Sequence, residues 1–146
     1  MVRVLFIDDE DFTMQKAIGV LRSNKYDVNI KTTGSDALAE LRKNYEQYDL
    51  VILDLMLPKG KPEDEADRIP NILPEQVGEY IFEKMGQMCP NMPTIILTAV
   101  SSNMEGMRKA LNARLLMKPV NAINLLKSIE DMLKGSGVGN KPNTTS

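Results

Sequence analysis

Five short apolar runs divide the chain: Val2 to Ile7, Val28 to Lys31, Leu50 to Leu53, Thr94 to Leu97 and Arg114 to Met117. Each has the length of a strand, and the runs starting at residues 2, 50 and 94 are almost uninterrupted by polar residues, as expected of strands buried on both faces. The intervals carry a different period. Met14, Ala17, Ile18 and Leu21 fall at i, i+3, i+4 and i+7, the spacing of one buried helix face. Similar stripes come from Ala37, Leu38, Leu41 and Tyr45, from Met104, Met107 and Leu111, and from Leu125, Ile129, Met132 and Leu133.

Helix starts can be placed from local chemistry. Ser102 followed by Glu105 forms a capping-box pattern, and a last helix should begin just after Pro119. Strands alternating with helices predict an α/β domain with a parallel sheet covered on both faces, because each parallel crossover needs a connection about as long as a helix. Two segments break the alternation. Residues 58–77 (PKGKPEDEADRIPNILPEQV) hold four prolines among dense charges and cannot be one regular helix. Residues 135–146 (GSGVGNKPNTTS) are glycine-rich and polar, the pattern of a flexible tail or linker.

Composition narrows the function more than the fold. With 18 basic residues dispersed among 20 acidic ones and a net charge of -2, the chain lacks the clustered cations of a nucleic-acid surface. Cys89 is the single cysteine, so no internal disulfide can form; with no apolar stretch of membrane-spanning length, a cytoplasmic location and no membrane contact are expected. There is no histidine, which removes Ser-His-Asp and Cys-His catalysis and imidazole-bound zinc. The chemistry must run on carboxylates, hydroxyls, lysine and a metal. The ten methionines are read as core filling and Cys89 as a bystander.

The polar residues that remain stand where such sheets bind ligands, at the carboxyl ends of the strands. The first strand ends in Asp8 and Asp9, the third runs into Asp54, the fourth ends at Thr98, and the fifth delivers Lys118. Asp54 follows four apolar residues, so the strand should stop there and expose it. Carboxylates crowded together repel unless a cation neutralises them, and an all-oxygen set suits Mg2+. An aspartate can also attack phosphorus to form an aspartyl phosphate, with a metal, an ammonium and a hydroxyl neutralising the phosphoryl oxygens.

The "FIDDE" at 6–10, the "DLMLP" at 54–58, the "LTA" at 97–99 and the "KP" at 118–119 resemble, in content and order, the receiver domain of two-component response regulators. The resemblance covers residues 1–134 and implies a flavodoxin-like sheet of order 2-1-3-4-5. It implies that Asp54 is the phosphoacceptor, and that Asp8 and Asp9 hold Mg2+ together with Asp54 and the backbone carbonyl of Met56. It further implies that Lys118 pairs with a phosphoryl oxygen, that the Thr98 hydroxyl shifts to bond another, and that small Ala99 leaves the group room. The phosphodonor would be a histidine kinase or histidine phosphotransfer protein and the output protein is unspecified; the chain would catalyse only its own phosphorylation and dephosphorylation.

Three departures from the family pattern stand out. Leu115 occupies a position, three before the lysine, that is aromatic in many receivers. Val100 and Met56 offer no strong hydrogen bond to an attacking water, which predicts a slowly hydrolysed phosphoaspartate. Between Pro58 and Gly78, the glycine matching the start of the third helix, lies an insertion of about residues 59–76. It is expected either as a solvated loop or as a lid anchored by Ile69, Ile72 and Leu73. The competing functions are a phosphatase with an aspartyl-phosphate intermediate, similar to haloacid dehalogenases, and a pseudo-receiver that binds partners without phosphorylation. With twelve residues after Lys134, the sequence is expected to act either as a stand-alone regulator or as a receiver preceding a linker.

Overall fold

In a computed structural model of the chain, residues 1–9, 11–99 and 112–136 are described. Strands β1 (Arg3–Ile7), β2 (Asp27–Lys31), β3 (Leu50–Asp54), β4 (Thr94–Thr98) and β5 (Ala113–Met117) alternate with helices α1 (Asp11–Ser23), α2 (Gly34–Asn44) and α3 (Pro74–Met88), and α4 (Ala122–Ser136) follows β5. All neighbouring strands are parallel, in the order β2-β1-β3-β4-β5. The expected strands differ from these by a residue at most at either end. The helix expected from Ser102 and Glu105, with its Met104, Met107 and Leu111 stripe, lies outside the described residues, as do Val100 and the tail from 137 onward.

Alternation along the central strands divides the core in two. Val51 and Leu53 point to one face, where Ala37, Leu38 and Leu41 of α2 and Val77 and Ile81 of α3 cover them. Leu50 and Ile52 point to the other, against Met14, Ile18 and Leu21 of α1 and Leu125, Ile129 and Leu133 of α4. The stripes read from spacing on α1, α2 and α4 are therefore the faces turned to the core. Helix α4 begins at Ala122, three residues beyond Pro119, because the Asn121 side chain accepts from the backbone N–H groups of Ile123 (2.7 Å) and Asn124 (3.3 Å).

Helix α3 starts at Pro74, four residues before Gly78, with Leu73 N–H donating to Gln76 Oε1 at 2.9 Å. Gly78 is needed for another reason. A Cβ there would lie 2.4 Å from Leu55 Cα and 2.5 Å from the carbonyl oxygen of Asp54, so only glycine lets α3 approach the end of β3 this closely.

The segment after Pro58 is packed against α2. A short 3-10 turn at Glu65–Asp67 brings Asp67, 2% exposed, under Arg42, whose Nε and Nη2 donate to the two carboxylate oxygens at 2.9 and 2.7 Å. Ile69 is buried and Ile72 packs on the same core cluster. Leu73 departs from the anchoring role expected of it: at 57% exposed it caps α3 with its backbone while its side chain faces solvent.

Two outcomes follow for stability. Gly78→Ala should cost about 1–3 kcal/mol through overpacking against backbone that cannot yield, seen as a lower urea midpoint at unchanged slope. The hydrogen bond from Arg42, outweighing burial, holds the Asp67 carboxyl below its ordinary range. A lowered folded-state pKa means that the ion pair's stabilisation is complete above the ordinary carboxylate pKa of about 3.9 and is lost as pH falls through the folded value. Asp67→Asn should thus melt a few degrees below the parent at neutral pH, with the gap closing on acidification below about pH 4.

Candidate functional site

The strand register assembles the site. Ile7 pairs with Leu53, so Asp8 and Asp54, each one residue further on, sit side by side on adjacent strands. Asp54 pairs with Leu97, and Thr98 pairs with Met117, which carries the line across to Lys118. The sheet order reverses between β1 and β3, and in open parallel sheets the crevice at that point is where ligands bind.

Asp54 is not exposed. It is the last residue of β3 and only 4% exposed, with Asp8 at 3%, which corrects the expectation that the strand would stop at Leu53 and release it. A lone buried carboxylate would be costly. Here Lys118 Nζ lies 2.9 Å from Asp54 Oδ2 and 3.2 Å from Asp8 Oδ2, and the Met56 backbone N–H donates to Asp54 Oδ1 at 3.1 Å. Burial is therefore compensated on both oxygens of Asp54. Lysine is brought there by its own backbone, whose N–H donates to the Thr98 carbonyl at 2.7 Å, and it precedes Pro119 across a cis peptide bond.

Asp9 is exposed at the rim, and its carboxylate lies with those of Asp8 and Asp54 so that one oxygen from each falls within 4.8 Å of the others. Among the described residues, three carboxylates stand against one ammonium, an excess of negative charge. An all-oxygen set with that excess fits a divalent cation with hard-ligand preference, Mg2+ above the softer metals. The backbone of Met56 stands beside the cluster through its N–H on Asp54. Thr98 is 4% exposed at the end of β4. Leu115 is half-buried and packs against Ile96, as does Phe82 of α3. Asp8, Asp9, Asp54, Thr98 and Lys118 are thus gathered on one edge. Sequence reasoning missed the Met56 N–H donor, because backbone donors leave no side-chain signal, and the bridging of Lys118 to Asp8 as well as Asp54.

A scan against models of protein families finds no match. Sequence comparison finds the transcriptional regulatory protein GlrR of Escherichia coli, 32% identical over 135 residues, covering 90% of this chain and 26% of that protein. It also finds the regulatory protein VanRB of Enterococcus faecalis, 28% identical over 139 residues, covering 93% of the chain and 54% of that protein. The chain therefore spans between about a quarter and about half of these relatives. Among solved structures, the non-phosphorylated HemR receiver domain of Leptospira biflexa superposes with a TM-score of 0.70 at 25% identity, over 91% of this chain and 94% of that one. A CheY-like response regulator receiver domain from Methanospirillum hungatei shares the fold at a TM-score of 0.72 and 24% identity, over 93% and 96% of the two chains.

The chain belongs to the response regulator receiver domains. That family provides the phosphoacceptor modules of two-component signalling, and its flavodoxin-like sheet order is the one found here. In this receiver domain no described helix is long and apolar enough to cross a membrane.

Removing the ammonium isolates the role of Lys118. Lys118→Met leaves two buried carboxylates side by side, and breaking a buried pair of this kind costs about 3–5 kcal/mol. The single variant should melt well below the parent in metal-free buffer, and Lys118→Met combined with Asp8→Asn should recover part of that loss. Equal melting of single and double variants would show that the lysine does not serve both carboxylates.

Proposed function

We propose that this receiver domain takes a phosphoryl group from a histidine kinase or histidine phosphotransfer protein onto Asp54 and thereby changes its affinity for an output protein. The observation that carries the residue assignment is the Lys118 ammonium bridging Asp54 and Asp8 at 2.9 and 3.2 Å, inside a cluster of three carboxylates. In the transfer an Asp54 oxygen forms a bond to phosphorus while the phosphorus–nitrogen bond of the donor breaks, the imidazole keeping the electron pair. Lys118 would follow the new negative charge onto a phosphoryl oxygen, and the Thr98 hydroxyl would bond another.

Asp8, Asp9, Asp54 and the Met56 carbonyl would hold Mg2+, which when bound neutralises the charge gathered between carboxylates and phosphoryl oxygens. The chain then catalyses only its own phosphorylation and dephosphorylation. With Met56 offering no polar side chain, the phosphoaspartate should decay slowly. A phosphatase of the haloacid dehalogenase kind needs an acid/base carboxylate two positions after its nucleophile, and Met56 stands there. A pseudo-receiver would be expected to lack part of the charged set, which is whole here.

Donor docking has a physical basis on the same edge. Met56, Leu73, Met117 and Ile123 are each more than half exposed and stand near strand ends or helix starts, on the edge of the sheet that carries the acidic cluster. An apolar rim about a charged centre suits a histidine-bearing helix, which offers apolar flanks to the rim and its imidazole to Asp54. With one cysteine and so no internal disulfide, we place this exchange in the cytoplasm.

Incubation with acetyl phosphate and Mg2+ should add the mass of one phosphoryl group to the parent and nothing to Asp54→Ala. Gain in both proteins would overturn the Asp54 assignment, and gain in neither would overturn phosphoacceptance. Omission of Mg2+, or Asp9→Asn, should slow the gain by at least about tenfold.

A further inference from the structure

The segment joining Asp54 to α3 is held from outside, by the first turn of α2. Two consecutive carbonyls of the segment are seated on two consecutive N–H groups of that turn: Gly34 N donates to Pro58 O and Ser35 N to Lys59 O, both at 2.9 Å. The Ser35 hydroxyl, itself in a residue 1% exposed, donates to the same Lys59 carbonyl at 2.7 Å. The first N–H groups of a helix have no partner within it, so the loop satisfies donors that would otherwise turn to water. Gly60 closes the clasp with φ of +76°, and a Cβ there would lie 2.4 Å from Thr33 Oγ1, the atom that caps α2 by accepting from Asp36 N at 3.2 Å.

The same helix is fastened to the insertion a second time, two turns further on. Arg42 grips Asp67 through both carboxylate oxygens and lies 3.6 Å from Asp64. At the first fastening Ile69 also lies against Gly34, where a Cβ would come within 3.1 Å of its side chain. The other end of this connection reaches the metal-binding half of the cluster: Asp8 N donates at 3.1 Å to the carbonyl of Lys31, the last residue of β2, two positions before the Thr33 cap. The turn between β2 and α2 is therefore bonded on one side to Asp8 and on the other to the loop that leaves Asp54.

We propose that the insertion is a brace, with Ser35, Gly60 and the Arg42–Asp67 pair as positioning residues that fix the 55–60 loop relative to Asp8. The brace rests on the reading of the cluster as a Mg2+ and phosphoryl site. It sets the distance between the Met56 backbone and the acidic pair before any cation arrives, so that binding need not order the loop. Residues that act through such outer contacts typically change metal affinity by about 10-fold to 100-fold when lost.

The test compares Asp67→Asn and Gly60→Ala with the parent and with Leu133→Ala, a core variant on the opposite, α1/α4 face. Mg2+ affinity is measured by calorimetry, hydrogen exchange of the 55–60 amides without metal, and phosphoryl uptake from acetyl phosphate by mass. Both brace variants should bind Mg2+ about tenfold more weakly and exchange the loop amides faster. Leu133→Ala should lose melting temperature while keeping parental Mg2+ affinity. Should Gly60→Ala fail to fold, Asp67→Asn alone decides. Brace variants within twofold of the parent in affinity and exchange would overturn the proposal, as would an equal loss of affinity in Leu133→Ala. Failure of the parent to take up phosphoryl would count against phosphoacceptance alone, since the affinity and exchange comparisons do not depend on it.

Discussion

The ammonium of Lys118 is the charge on which the edge of this sheet depends. Two carboxylates on adjacent strands, each less than 5% exposed, could not share that edge in ionised form without a cation between them. The strand register requires their closeness: Ile7 opposite Leu53 leaves Asp8 and Asp54 no other arrangement. Lys118 arrives from the far side of β4 because β5 pairs with β4 in step, and its own N–H is tied to Thr98. Among the described residues one ammonium stands against three carboxylates, and the excess of negative charge is of the kind that fits a divalent ion. The same electrostatics that makes the folded site costly would make it responsive, because a phosphoryl group added there would offer the lysine new oxygens.

The apolar alternation was legible because it reports burial, and burial is what decides strands and helices in a two-faced sheet. Val51 and Leu53 on one face, Leu50 and Ile52 on the other, show in three dimensions what an unbroken apolar run shows in the sequence. The polar residues at strand ends were legible for the converse reason: carboxylates, a hydroxyl and a lysine at those points have few structural uses together. Asp54 was misjudged in its burial, since sequence order indicates that a charge interrupts an apolar run but not that a lysine 64 residues later will reach it. The start of α3 was misplaced for a related reason. Gly78 looked like a helix start, whereas its contacts with Leu55 and Asp54 show a close-approach position one turn inside the helix.

The insertion was the least legible segment. Its prolines and charges have the composition of a solvated loop, and nothing in that composition marks Asp67 as the residue that will be buried. Its order comes from partners distant in sequence: Arg42 for Asp67, Gly34 for Ile69, Ser35 for Lys59. Long-range contacts of this kind are also not legible from composition. The long-range hydrogen bonds described for residues 58–72 run to α2, and Ile69 and Ile72 pack on the core cluster that α2 shares, so the segment lies along the side of the domain.

Position along the side gives the insertion a mechanical consequence that a flexible loop would lack. A loop that must order itself around a cation loses conformational entropy at that moment, on the scale of about 1–2 kcal/mol per residue fixed. Residues 55–60 have already met that cost in the folded domain, through Leu57 buried against the core and the two carbonyls seated on α2. The coupling also runs in the opposite direction. A displacement of the loop on phosphorylation would be delivered to α2 and, through Arg42 and Asp67, to the outer surface of the insertion. A partner able to sense phosphorylation on this side would contact residues 61–68, whose charges are mostly exposed while their backbone is held by a buried aspartate.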